Sequence, residues 1–214
     1  MIMKKILAVL CIGFFCVSAI NSYFNKTQAA IAHGVIRLHV LANSNSSEDQ
    51  ALKLKVRDRI ISEMKSSFSL DGDIILAREV IMNNKEKIRS IAKDEVEKNG
   101  FSYDVNISLG QSDFPTKNYG EIVLPAGKYE ALKIEIGKAQ GQNWWCVLFP
   151  PLCFVDESCV SYSSEGAKMV AKNVGEENAE LIRKEKTPKV KLKFKSYELW
   201  QNGKRRLAYL FGMK

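Results

Sequence analysis

Two histidines, His33 and His39, and five cysteines are all the chain offers as bases near neutral pH and as soft nucleophiles. A cysteine hydrolase can be assembled on paper from Cys146 or Cys159 as nucleophile, His39 as base and Asp49 as the group that orients the imidazole, because such partners need only meet in space. His39 lies inside an apolar stretch, however, where a hydrogen-bonded core or edge histidine is the commoner outcome. No H-E-x-x-H, C-x-x-C or C-x-H spacing gathers a tetrahedral metal site. Phosphate cradles of the G-x-x-x-x-G-K-S/T or G-x-G-x-x-G type and the G-x-S-x-G nucleophile elbow are missing as well. The sequence therefore predicts no catalytic residue, no cofactor and no metal.

The residues that stand out instead are suited to contact. Trp144 to Phe154 packs two Trp, two Phe and two Pro into eleven residues, a composition that serves either a packed core loop or an anchor for a partner or a membrane. The same segment contains no Lys or Arg. Nucleic acid is thereby disfavoured, since a single-strand platform interleaves aromatics with basic side chains. Cys146 and Cys153 bracket the Pro150-Pro151 turn, and a bridge closing that short loop would contribute about 2.5 kcal/mol by the chain-entropy model. Buried free thiols are the other reading, and Cys159 is in either case the odd one.

These residues must be positioned by regular elements. Val35 to Leu41, rich in Val, Ile and Leu, predicts a strand, followed by the polar loop Ala42 to Ser47. Ser47 and Gln50 have capping-box spacing, and Leu52, Val56, Ile60 and Met64 recur every fourth residue, so a helix is expected from about Glu48 to Ser67. Its other face carries Lys53, Lys55, Arg57, Arg59 and Lys65. A second amphipathic helix runs from Ile74 to a glycine cap at Gly100, with a break near Asn83-Asn84. Phe101 to Leu109 alternates strictly and predicts a strand with one buried face.

Tyr119–Leu124 and Lys128–Ile136 read as an antiparallel hairpin turning through Pro125-Ala126-Gly127. Ser163 to Lys184 predicts one or two helices interrupted at Gly175. Lys189 to Lys195 reads as a strand with a lysine face, and Tyr197 to Phe211 as a basic, aromatic helical tail. The expected fold is α+β: a single domain with a mostly antiparallel sheet and two or more amphipathic helices.

The N-terminus carries Lys4 and Lys5, no acid, and then the apolar run Ile6 to Ile20. That is the pattern of an export signal. The fifteen-residue run is shorter than the roughly 20 residues of a spanning helix, although a retained membrane anchor is the alternative. Ala30 and Ala32 form an A-x-A cut site that would leave residues 33–214 as one globular domain; Gln28 to Ala30 is a less regular second site. Without residues 1–32 the chain keeps 29 basic and 24 acidic side chains. Such a surplus can hold a protein at an anionic membrane surface, or simply keep it soluble.

Two stretches carry a resemblance. Ile36 to Ser46, continued by Glu48 to Asp58, and Asn143 to Cys153 both resemble signatures of the stage II sporulation protein R family, and the similarity extends from about Val35 to Leu199. The resemblance implies a protein made in the forespore of an endospore former and exported into the space between the two membranes. There it would activate a membrane-embedded aspartic protease that processes the precursor of the early mother-cell sigma factor. Residues expected to meet that partner are Arg37, His39, Asn43, Ser44, Asn45, Asp49, Lys53, Lys55 and Arg57 in the first stretch. In the second they are Trp144, Trp145, Phe149, Pro150 and Pro151.

Overall fold

Alternation along Ile36–Leu41 gives one strand two different faces, with Ile36, Leu38 and Val40 on one side and Arg37 and His39 on the other, and the whole molecule is arranged around that difference. The structure is a computed structural model and describes residues 2–65, 73–153 and 160–183. Its elements in chain order are α1 (Ile2–His33), β1 (Ile36–Leu41), α2 (Ser47–Lys65), α3 (Ile74–Asn83) and α4 (Lys85–Lys98). They continue with β2 (Val105–Phe114), β3 (Lys117–Tyr119), β4 (Ile122–Leu124), β5 (Gly127–Ile136), β6 (Asn143–Phe149), α5 (Val160–Val174) and α6 (Glu176–Ile182).

The main sheet has the order β2-β5-β1-β6, and β3 and β4 form a separate two-stranded ribbon. β1 runs parallel to β5 and antiparallel to β6, while β2 and β5 are antiparallel. The fold is α+β with a mixed, mostly antiparallel sheet, as expected.

One sheet face buries Ile36, Leu38, Val40, Leu132 and Ile134 against Leu52, Val56 and Ile60 of α2 and Ile88, Ala92 and Val96 of α4. Each fully buried aliphatic side chain there contributes about 1.5–3 kcal/mol relative to exposure. The opposite face is covered by the last turn of α1 (Ile31), the ribbon (Ile122, Leu124) and α5 and α6 (Val170, Val174, Ile182).

Several expectations shift. Ser46, one residue before the expected cap, accepts a hydrogen bond from the Asp49 amide at 3.2 Å, and α2 starts at Ser47. The break in the second helical region falls at Asn84, and Gly100 takes φ 82°. The hairpin through Pro125-Ala126-Gly127 does not form. Gly120, at φ 66°, turns the chain inside the expected first strand, so Ile122–Leu124 pairs back with Lys117–Tyr119. β5 instead pairs over ten positions with β2, from Val105↔Ile136 to Phe114↔Gly127. That long ladder, rather than the turn chemistry, decides the topology. The expected elements at 189–195 and 197–211 and the residue Cys159 lie outside the described residues.

α1 runs unbroken to His33 and through both expected cut sites. Ile31 is 1% exposed, and Gln28 donates a hydrogen bond to the Lys128 carbonyl at 3.3 Å. Among the described residues no helix is long and apolar enough to cross a membrane.

Candidate partner-binding site

The two stretches that carry the family signatures are about a hundred residues apart in the chain and adjacent in space. β6 lies antiparallel to β1 with Leu41↔Asn143, Val40↔Trp144, His39↔Trp145 and Leu38↔Cys146 in register. The Trp-Trp segment is thus an edge strand of the sheet rather than a loop. Its residues divide by face. Cys146 to Pro150 are buried, Pro151 is half-buried, and Trp144 is 36% exposed.

The polar loop after β1 turns inward. Asp49 Oδ2 accepts from Asn43 Nδ2 at 2.8 Å and from Ser44 Oγ at 2.6 Å, while Asn43 Oδ1 accepts from the Lys138 amide at 3.0 Å. Gln50 donates to the Ser44 carbonyl, and Lys53 Nζ donates to Gln50 Oε1 and to the Gln142 carbonyl at 3.0 Å. The backbone joins in, with Gln140 N bonding Asn43 O and Gly141 N bonding Ala42 O. Close approach explains two glycines: a Cβ at Gly137 would overlap the Asn43 side chain, and one at Gly141 would overlap Ser44 O.

Asn43, Ser44, Asp49 and Lys53 therefore tie α2 to the β5–β6 connection. Burial alone would raise the Asp49 pKa, but the hydrogen bonds from Ser44 and Asn43 outweigh it and hold the carboxyl below its ordinary value. Lys53, 4% exposed, is shifted down by burial and by Arg57. Sequence reasoning placed these residues at a partner because a polar loop of that size has no obvious place in a core. The loop that receives them, residues 137–142, carried no signal that would have linked it to Asn43.

What remains outward is a small mixed patch on the α2 side. The Arg57 guanidinium lies 4.0 Å from the Trp144 ring centroid and pairs with Asp58 at 2.6 Å. Lys55 is exposed and bonds Asn99 Oδ1 at 2.5 Å, Leu54 is 37% exposed, and Asn45 is exposed at the loop tip. A tryptophan stacked under an arginine at an edge strand is the composition of an interface hot spot.

Arg37 and His39 face the other way. Arg37 is 0% exposed, with its guanidinium 4.0 Å from the Phe114 ring centroid, 4.8 Å from Tyr129 and 5.7 Å from Tyr119. Its Nη2 donates to the Tyr119 hydroxyl at 2.6 Å and its Nε to the Cys146 carbonyl at 3.4 Å. Burial pulls the Arg37 pKa down against the opposing influence of Tyr119 and Tyr129. His39 Nε2 shares a hydrogen bond of 2.6 Å with Asn143 Oδ1, and its ring stacks on Trp145 with centroids 6.0 Å apart. Its pKa is lowered, chiefly by burial, with the Asn143 bond opposing and Lys133 adding to the shift. The aromatic enclosure from Phe114, Tyr119 and Tyr129 was not foreseen; Tyr119 is 82 positions from Arg37.

Cys146 and Cys153 form a disulfide, with Cα atoms 5.5 Å apart. Cys146 consequently offers no thiol, and its side chain joins the core on the face opposite His39. Asp49 bonds Asn43 and Ser44 rather than His39, so the hydrolase arrangement drawn from Cys146, His39 and Asp49 is not assembled. Among the described residues no group of three or more His, Cys, Asp or Glu is placed to hold a metal ion.

The model of the family described as Stage II sporulation protein R (spore_II_R) matches residues 32–159, more than half of the chain. The chain belongs to the stage II sporulation protein R family. The matched region holds β1 to β6, both signature stretches and the disulfide, and it ends well short of Leu199. The Stage II sporulation protein R of Bacillus subtilis (strain 168) is 46% identical over 123 residues, covering 58% of this chain and 55% of that protein. The chain thus spans about half the length of the curated relative it matches. No solved structure matches.

Proposed function

We propose that this chain acts in sporulation as an exported signalling protein, delivered from the forespore into the intermembrane space. It binds and activates a membrane-embedded aspartic protease there, and so triggers processing of the early mother-cell sigma-factor precursor. Membership of the family supports the sporulation role. The observation that most favours binding over catalysis is the meeting of the two signature stretches at the β1–β6 pair with Trp144 and Arg57 stacked on the outside.

Activation by a ligand requires differential affinity: the chain must hold the active conformation of the protease more tightly than the inactive one. A hundredfold preference corresponds to about 2.7 kcal/mol, within reach of one buried Trp–Arg hot spot. The inward residues Asn43, Asp49 and Lys53 contribute by fixing the loop and α2 on which that hot spot stands, while Asn45, Lys55, Arg57 and Trp144 supply the contact.

Co-expression in a non-sporulating bacterium with the protease and the sigma-factor precursor tests the proposal. Precursor cleavage should require the full chain with its N-terminal segment, and should be lost in Trp144→Ala with circular dichroism unchanged. Protease activity indifferent to this chain would overturn the reading.

A further inference from the structure

We infer that the outer face of α3, with the foot of α1 beside it, is the surface on which the domain rests against an anionic lipid bilayer. Outside α1, the described residues expose five large apolar side chains, Leu54, Ile75, Leu76, Met82 and Trp144, and three of the five belong to α3. Ile75 and Met82 are seven positions apart and so share one helix face, and they are 60% and 55% exposed. Ala77 and Ile81 already fasten the other side of α3 to the core. The outward face is therefore surplus to folding.

α1 identifies the occupant. Its sequence is apolar from Ile6 to Ile20, and Ile12, Phe14, Phe15 and Val17 all stand exposed; a bare apolar surface of that extent calls for lipid. The same helix continues to Ile31 in the core and to Gln28, which bonds the Lys128 carbonyl, so the domain is carried on the rod that bears the apolar run. α3 stands at the foot of this rod. Arg78, one turn on from Ile75, holds the Glu130 carboxylate at 2.7 to 3.1 Å and lines a cleft with Gln28, Ala32, His33 and Lys128. Charge fits the same surface. Lys26 lies about 9 Å beyond Ile20 at the helical rise, level with lipid headgroups, and Lys128 is exposed beside Gln28. Neither lysine pairs with an acid among the described residues. Glu79 lies between Ile75 and Met82 and is exposed, so the α3 face sits among the headgroups and does not sink into hydrocarbon.

β1 gives the orientation. It starts at Ile36, just after α1, and its Arg37 end pairs with Ala131, beside the Lys128 and Glu130 corner. Its far end pairs with Trp144 at Val40 and runs into Asn43. The lipid-facing surface and the Trp144–Arg57 patch thus lie at opposite ends of β1. A domain seated on lipid through α3 turns that patch away from the bilayer.

Photocrosslinking of the full chain in vesicles tests the assignment without the protease. The photoreactive residue p-benzoylphenylalanine replaces Ile75, Met82, Leu54 or Trp144, one position at a time; all four lie at the surface, so the core is left intact. The vesicles are phosphatidylcholine with phosphatidylglycerol, or phosphatidylcholine alone. Lipid adducts should form at positions 75 and 82, with far lower yields at 54 and 144, and the yields at 75 and 82 should fall when phosphatidylglycerol is omitted. Lys128→Glu should weaken the seating on mixed vesicles about fivefold, the effect of one lysine at such a surface, and lower the adduct yield at position 82. Equal yields at all four positions, adducts at 75 and 82 to a second copy of the chain in place of lipid, or yields indifferent to both phosphatidylglycerol and Lys128→Glu would each overturn the assignment.

Discussion

Asn43 and Asp49 are joined at 2.8 Å across the first turn leading into α2, and the same Asn43 side chain receives the Lys138 amide from the β5–β6 connection. One amide therefore couples the start of α2 to the β5–β6 connection. Asp49→Ala strips the acceptor from Asn43 and Ser44, leaving part-buried donors unpaired. It should lower stability by about 2–3 kcal/mol, read as a fall in the urea midpoint at unchanged slope. An Asp49→Ala variant as stable as the wild type would show that the network is decorative.

The Arg57–Trp144 pair predicts the opposite division. Stacking at a half-exposed site contributes only about 0.5–1 kcal/mol, so Arg57→Ala should leave the thermal midpoint nearly unchanged. Sigma-precursor processing should nevertheless fall by an order of magnitude or more, as for a truncated interface anchor. Equal losses in stability and processing would mean that the pair serves the fold instead of the contact.

His39 sets an acid limit. Its folded-state pKa is lowered below the ordinary 6.5, chiefly by burial, so the unfolded chain takes up the proton first as pH falls. The stability linked to the neutral ring is present above pH 6.5 and declines as the pH drops from there toward the folded-state value. Denaturation curves between neutrality and mild acid should show this decline, and His39→Gln should flatten it. Asp49, also lowered, adds a separate loss only in the carboxylate range.

The disulfide closes a short loop at the end of β6, and its reduction should cost about 2.5 kcal/mol by the chain-entropy model. The Cys146→Ser/Cys153→Ser double variant should match the reduced protein. A melting curve insensitive to reductant would argue that the two thiols are not joined in solution.

Ile31 makes a prediction about processing. Since it is buried among Val170, Val174 and Ile182, cleavage after Ala32 would remove a core side chain. Ile31→Asp should therefore destabilise the fold by about 3 kcal/mol or more. Intact-mass measurement of the chain purified after expression in a bacterium should find residues 28–33 retained.

Much of this architecture was legible because it depends on local pattern. The strand at Val35–Leu41, the break at Asn84, the cap at Gly100 and the interruption at Gly175 all follow from periodicity or from glycine, and each is where it was expected. The failures share a cause. Pro125-Ala126-Gly127 has the chemistry of a hairpin turn, yet the ten-position β2–β5 ladder and the turn at Gly120 override it. Asn43 looks like a surface group because one of its partners, the Lys138 amide, comes from 95 positions away, although its bond to Asp49 is local. The Arg37 enclosure was likewise illegible, since nothing in Phe114, Tyr119 or Tyr129 marks them as neighbours of one guanidinium.

Among the described residues, β1 sits between the two strands that are made last, β5 and β6. A chain that emerges from its N-terminus leaves this central strand without either neighbour until residue 127 has appeared, and without the second until residue 143. Sheet closure is accordingly a late, long-range event whose rate is limited by loop closure. Chains cut short before β6 lack the strand that carries Trp144 and the first cysteine of the bridge. The surface that carries Trp144 therefore exists only once the chain has been made through β6.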